Sequence, residues 1–245
     1  MTQIRPKATL EKRGQFAPFV LAGGLVLAKA LITWGGWDGH QPDKVAALFA
    51  TDLRAAGMEV TVTDTLACFD EPAALADLAL IVPVWTMSSI EKHQSENVAA
   101  AVGAGVGLAG CHGGMCDAFR NDVLWQFMTG AQWVAHPGND GVDYRVRITS
   151  DDPLVAGIAD FDVKTEQYYL HVDPAARIHA VCDFPVVDGP HAVNGPVAMP
   201  VVFTKGWGKG RVYYNALGHQ ANVIDHGAPR ELLRRGLLWA AGQGF

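Results

Sequence analysis

Three histidines sit in glycine-rich stretches that directly follow short apolar runs. His40 closes Gly35-Gly36-Trp37-Asp38-Gly39-His40, His112 lies within Gly110-Cys111-His112-Gly113-Gly114, and His219 follows Leu217-Gly218. Imidazole exchanges protons near neutral pH and ligates metals, so such a set offers acid/base or metal chemistry. His136, in Val134-Ala135-His136-Pro137, and Glu166, in Thr165-Glu166-Gln167-Tyr168-Tyr169, are candidates to join it. Trp85 offers a flat apolar surface of the kind on which a sugar ring stacks. A single histidine beside glycines is usually a hydrogen-bonded loop residue, but three at three separate strand ends are harder to explain in that way. His93, His179, His191 and His226 read as surface or loop residues without a role.

The stretch at 110–114 is the most specific. A strand, a turn of small residues and then a helix make the layout of a nucleophile elbow. The G-x-N-x-G spacing puts His112, not Cys111, at its exposed tip. Cys111 and Cys116 then read as small buried side chains, and a cysteine hydrolase using either is the minor alternative.

These residues need a scaffold that gathers them. Residues 30–34, 59–63, 78–84 and 106–110 read as strands, and 43–56, 95–104 and 122–128 as helices between or after them, the alternation that feeds a parallel sheet. In such a sheet ligands bind beyond the carboxyl ends of the strands, where His40, Trp85, His112 and His219 would lie. Residues 144–148 alternate like a strand within a region broken by Asp, Pro and Gly, which predicts an irregular strand-rich insertion or sheet extension. Residues 197–204 and 211–216 read as strands joined by a glycine turn, and 230–241 as a closing helix packing Leu232, Leu233, Leu237 and Trp239. The expectation is an α/β, three-layer, flavodoxin-like fold with a mainly parallel sheet, preceded by an extension over 1–28, with the α/β domain at 29–245.

The 245 residues carry a formal charge of −6 and no stripe of Lys and Arg, which argues against a nucleic-acid partner. The four cysteines form no C-x-x-C pair, which fits a reducing, cytoplasmic setting. Residues 16–27 (FAPFVLAGGLVL) follow Lys12 and Arg13 and have roughly the layout of a signal peptide, but cleavage after Ala30 would remove the start of the first strand. The run is also too short to span a bilayer, so no membrane association is expected. Such apolar segments leave a homo-oligomer open.

With these motifs, together with Gly210-Arg211-Val212 and Arg235-Gly236-Leu237-Leu238-Trp239-Ala240-Ala241-Gly242, the chain resembles the trehalose-utilisation (ThuA-like) family over most of residues 29–242. The resemblance implies the architecture of class I glutamine amidotransferases. In that architecture His112 stands where the nucleophilic cysteine would be, and His219 corresponds to the catalytic histidine. An imidazole cannot form the thioester of glutamine hydrolysis, which excludes that reaction by its usual route. Gln41 stands where an acidic residue is expected, and Thr165 where an Asp precedes the glutamate.

The resemblance implies a small-molecule sugar substrate: a disaccharide such as trehalose, or its 3-keto derivative. Isomerisation, elimination and hydrolysis are all open. His112, His219 and Glu166 are the expected catalytic groups, with Trp85, Trp37, Tyr169 and His136 at the substrate. His40, His112 and His219 could hold one divalent metal, zinc-like or manganese-like, and no nucleotide cofactor is expected. The competing reading is a non-catalytic sugar-binding or regulatory domain.

Overall fold

The computed structural model describes residues 27–245; the stretch resembling a signal peptide and nearly all of the extension over 1–28 lie outside the described residues. In chain order the elements are β1 (Lys29–Gly36), α1 (Pro42–Ala55), β2 (Glu59–Thr63), α2 (Pro72–Ala76), β3 (Leu80–Thr86), α3 (Lys92–Ala104), β4 (Gly107–Cys111), α4 (His112–Cys116) and α5 (Val123–Thr129). They continue with β5 (Ala131–Ala135), β6 (Val142–Ile148), β7 (Phe161–Thr165), β8 (Tyr169–Val172), β9 (Arg177–Phe184), β10 (Val197–Trp207), β11 (Gly210–Asn215) and α6 (Gly227–Ala240).

Nine strands form one mixed sheet in the order β2-β1-β3-β4-β11-β10-β9-β6-β7. The first five are mutually parallel and the last four extend the sheet antiparallel. Residues of β3 and β4 are buried almost without interruption, as expected where helices cover both faces of a parallel sheet. Helices α1 and α6 pack together on one side, and α3 packs with α2 and α5 on the other. In α1 the buried Val45, Phe49 and Leu53 recur every fourth residue, which gives the helix one apolar stripe, and Pro42 opens it where a missing N–H costs nothing. In α6, Gly236 lies against the Tyr213 ring, and a Cβ there would come within 2.2 Å of it. The helix seats on β11 through that contact.

The strand-rich middle of the chain does two things. Strands β6, β7 and β9 lengthen the main sheet, while β5 and β8 pair as a small antiparallel sheet of their own. The segment between β7 and β8 carries Glu166, Gln167 and Tyr168, all buried.

Two expectations need correction. The third strand runs to Thr86 rather than ending at Val84, because Gly35 and Gly36 carry β1 onward to pair with Trp85 and Thr86. Trp85 is therefore inside the strand, not after it. In the closing helix Leu238 joins Leu232, Leu233 and Leu237 in the core, and Trp239 packs against it half-buried, its ring beneath the Arg211 guanidinium. His179 is neither surface nor loop: it is fully buried in β9, where Ser150 Oγ (3.2 Å from Nδ1) and Thr204 Oγ1 (2.8 Å from Nε2) satisfy both ring nitrogens.

Candidate active site at the carboxyl edge of the parallel strands

The ends of β1, β3, β4 and β11 converge on one point. His112 occupies the turn from β4 into α4 with φ +46, a left-handed conformation that non-glycine residues rarely adopt and that marks a constrained site. Small neighbours make this turn possible. A Cβ on Gly113 would lie 2.7 Å from His40 Cε1 and 2.8 Å from Thr86 Cγ2, so only glycine lets the elbow approach the loop after β1. The sequence puts His112 at an exposed tip. It is instead 1% exposed, because Tyr168 from the insertion stacks on its ring at 3.9 Å between centroids.

Three imidazoles face one another here. The ring centroids of His40 and His112 are 4.8 Å apart, those of His40 and His219 5.0 Å, and those of His112 and His219 5.4 Å. Glu166 enters from the segment after β7, and one ligand atom from each of His40, His112, Glu166 and His219 lies within 4.8 Å of the others. All four residues are buried.

Hydrogen bonds outside the cluster decide which nitrogens face inward. His112 Nδ1 lies 2.8 Å from the Ala216 carbonyl, which can only accept, so Nδ1 carries a proton. In the neutral ring, Nε2 then presents a lone pair to Glu166 Oε2 at 3.1 Å. His40 Nδ1 pairs with Thr86 Oγ1 at 2.9 Å, which leaves its Nε2 free. His219 Nδ1 stands 3.3 Å from Glu166 Oε2 but off the direction of a good hydrogen bond, and it is buried without a partner.

The electrostatics sharpen the picture. Burial pulls His40 down to about 3, assisted by the neighbouring His112 and His219. Burial also lowers His112, against the opposing pull of Glu166. For Glu166, burial acts upward, but its contacts with His112 and His219 outweigh it and hold the carboxyl below the usual range. An ionised carboxylate thus faces inward-pointing imidazole lone pairs. A cation relieves that arrangement, and three imidazoles with one carboxylate are a donor set that could hold a divalent metal. The outer partners Thr86 and the Ala216 carbonyl orient two of the rings, as outer-shell groups do around metal ligands.

His40, Glu166 and His219 of the cluster line a cavity of about 330 Å³. Its walls include Trp37, Met87, Arg120, His136, Asp140 and Tyr168. Roomier hollows, about 510 Å³ beside α5, about 490 Å³ on the β6–β7 hairpin and about 360 Å³ between β7 and the start of α6, lie away from this cluster, so chemistry rather than size identifies the site. His136 Nδ1 is buried without a partner, 3.9 Å from Glu166 Oε1. Trp37, 46% exposed, packs edge-on to His40 at the mouth.

Of the residues singled out from the sequence, His40, His112, His219, Glu166, His136 and Trp37 meet here. Trp85 and Tyr169 do not line the cavity. The Trp85 ring is folded across Gly35, where a Cβ would stand 2.8 Å from it, and Tyr169 packs on Phe184 at 5.0 Å. Tyr168, one residue earlier, takes the place at the site. Cys111 and Cys116 are buried, and burial pushes the Cys111 thiol up to about 12, the opposite of what a nucleophile needs. Thr86, Asp117, Arg120 and Tyr168 were not marked by the sequence reading. The acidic and basic pair at 117 and 120, three apart just after the elbow, was the signal available for two of them.

Among solved structures, the chain is similar to a ThuA-like protein of Bacteroides uniformis, with 16% identity, 90% of this chain and 95% of that chain covered, and a TM-score of 0.68. It is similar to a ThuA-like protein of Parabacteroides merdae at 17% identity, covering 89% of this chain and 91% of the other, with a TM-score of 0.69. A β-galactosidase of Bacillus circulans matches 87% of this chain with 30% of its own length, at 13% identity and a TM-score of 0.57. At these identities the likeness is one of fold, a parallel core with a strand-rich extension. No curated protein sequence matches the chain. The family model for trehalose utilisation (ThuA) matches residues 29–240, from the first strand of the sheet to the end of its last helix, and on that match the chain belongs to the trehalose-utilisation family.

Proposed function

We propose that this protein is an enzyme of carbohydrate catabolism that acts on a disaccharide or its 3-keto derivative, and on the keto sugar by moving a proton next to the keto group. The observation that carries the reading is the buried meeting of His40, His112, His219 and Glu166 beneath a cavity. At about 330 Å³ that cavity is at the small end of the range of roughly 300–1,000 Å³ typical of ligand pockets, a size suited to one sugar ring with the other outside.

His40, His112, His219 and Glu166 would hold one divalent metal, zinc-like or manganese-like, which supplies a Lewis acid for negative charge developing on oxygen. His136 is the imidazole left free of that set. It lines the cavity with its Nδ1 3.9 Å from Glu166 Oε1, within reach of a ligand held there, so His136 is assigned to accept the proton from carbon and return it. Trp37 at the mouth offers a face to a sugar ring. The four free cysteines accord with a cytoplasmic setting, and among the described residues no helix is long and apolar enough to cross a membrane.

The test is proton exchange rather than turnover alone. Purified protein incubated with 3-ketotrehalose in D2O is expected to place deuterium on a carbon flanking the keto group. His136→Asn should abolish exchange while metal content, measured by elemental analysis, stays at about one per chain. Retention of both substrate protons during turnover of the keto sugar would overturn the proton-transfer reading.

A further inference from the structure

One charged side chain in the cavity wall belongs neither to the histidine cluster nor to its supports. Arg120 donates from Nε to Asp117 Oδ1 at 2.5 Å and from Nη2 to Asp117 Oδ2 at 3.0 Å, a two-point clamp. Its guanidinium carbon lies 4.3 Å from the centroid of the Trp133 ring, so the plane of the group is fixed on a second side. Asp117 is itself anchored: its side chain is 4% exposed, its carbonyl accepts from the Met87 amide at 2.9 Å, and the next carbonyl, of Ala118, accepts from Ser88 at 2.9 Å. The turn that carries the pair is thereby sewn to the segment after β3, on the same side as the histidines.

Among the described residues Arg120 Nη1 makes no hydrogen bond, although Arg120 lines the cavity with His40, Glu166 and His219. Two features follow from this geometry. The free N–H edge is held rigid before any ligand arrives, so little ordering is lost when it binds an oxygen. The positive charge is already cancelled by a buried carboxylate, and Asp140 and Glu166 add negative charge to the same walls. A lone arginine in a pocket attracts carboxylates and phosphates; an arginine neutralised in this way offers hydrogen bonds without a net charge.

We propose that Arg120, clamped by Asp117 and stacked on Trp133, is the specificity-determining residue of the cavity, donating hydrogen bonds to a hydroxyl or keto oxygen of an uncharged sugar and discriminating against acidic sugars. The inference rests on the sugar-site reading above and goes further by assigning which sugars are accepted and by what group.

Calorimetric titration of the full-length protein as purified, with trehalose and with glucuronate as probes, tests it without recourse to turnover. Arg120→Met should weaken trehalose binding by about tenfold to a hundredfold, the usual consequence of losing hydrogen bonds from a charged donor. Arg120→Lys keeps the charge but not the fork and should restore only part of that loss. Asp117→Asn uncovers the guanidinium charge, and the preference for glucuronate over trehalose should rise by about tenfold, a change that a purely structural pair would not produce. Trehalose binding by Arg120→Met equal to the unmodified protein, or an unchanged glucuronate preference in Asp117→Asn, would overturn the assignment of Arg120 while leaving the sugar site standing. Failure of the unmodified protein to bind trehalose or its 3-keto derivative would instead overturn the sugar-site reading and this inference with it. Thermal melting separates these outcomes from misfolding, and the Lys and Asn variants keep the test available should Arg120→Met fail to fold.

Discussion

His179 and the three clustered histidines are equally hidden from solvent, yet the molecule treats them in opposite ways. In β9, His179 has a hydroxyl at each nitrogen, and hydroxyls donate or accept as required, so a neutral ring is fully satisfied. At the carboxyl edge of the parallel strands, His112 and His219 converge on one carboxylate, His219 Nδ1 has no partner, and a cavity opens above them. Burial alone therefore does not mark a functional histidine. What distinguishes the cluster is polar capacity left unused in a place a ligand can reach.

The sharpest way to break this comparison is to remove one ring from each region. His112→Ala and Glu166→Gln should each lower turnover of the keto sugar by about a hundredfold to ten-thousandfold, the range for losing a positioned acid/base or charge-stabilising group. His179→Ala should leave the turnover of the folded fraction unchanged. Steady-state rates on purified variants, normalised to folded protein by circular dichroism, decide the matter. A comparable loss of rate in His179→Ala would erase the distinction between the two regions.

A subtler probe addresses support rather than ligation. Thr86 touches His40 through one hydroxyl and has no other evident task in the cluster. Thr86→Val keeps the shape and removes the partner of Nδ1, so the ring is freed to rotate. Metal affinity, read by competition with a chromogenic chelator, should fall by about ten- to a hundredfold, as is usual for outer-shell groups. Unchanged affinity and rate would mean that His40 is held by packing against Trp37 and Gly113 alone.

The same contrast shows what the sequence could and could not disclose. The elbow was legible because Gly110, Gly113 and Gly114 are local signals of a tight strand-to-helix turn around His112. The parallel core was legible because its strands are short apolar runs separated by helical stripes. Tyr168 against Tyr169 was not legible, because Tyr168 lies in the irregular segment before β8, where no period says which of two adjacent tyrosines turns inward. Trp85 was misplaced for a related reason, since the end of β3 is set by its pairing with Gly35 and Gly36, fifty residues away. His179 was invisible as a core residue because its partners, Ser150 and Thr204, come from two distant segments.

In the antiparallel half the effect expected is on stability, not rate. Thr204→Val would leave His179 Nε2 buried without a partner, at a cost of about 1–3 kcal/mol. Urea unfolding of the variant should show an earlier midpoint with the same slope, while turnover in the absence of urea stays unchanged. A midpoint equal to that of the unmodified protein would show that His179 finds another partner within the sheet.

The smallest effect is the dependence of stability on pH in chelator-treated protein, and its sign follows from linkage. Burial lowers His179 and His40 in the folded state, His40 to about 3, whereas the unfolded chain protonates histidine near 6.5. Their contribution to stability is fully present above about pH 6.5. Below that, the unfolded chain binds protons the folded chain refuses, so stability falls, by up to about 1.4 kcal/mol per pH unit for each such histidine. For His40 the loss continues as pH drops toward about 3. Replacing His179 with Leu should flatten the curve of unfolding free energy between pH 6.5 and 5 by at most one proton's worth, and His40→Ala should flatten it over a wider interval. Metal binding to the cluster should delay the decline, because the ligated rings stay unprotonated until the ion is displaced. A curve that rises as pH falls from 7 to 5 would show that the clustered rings are charged rather than neutral in the folded protein, and would reverse the reading of the carboxylate among them.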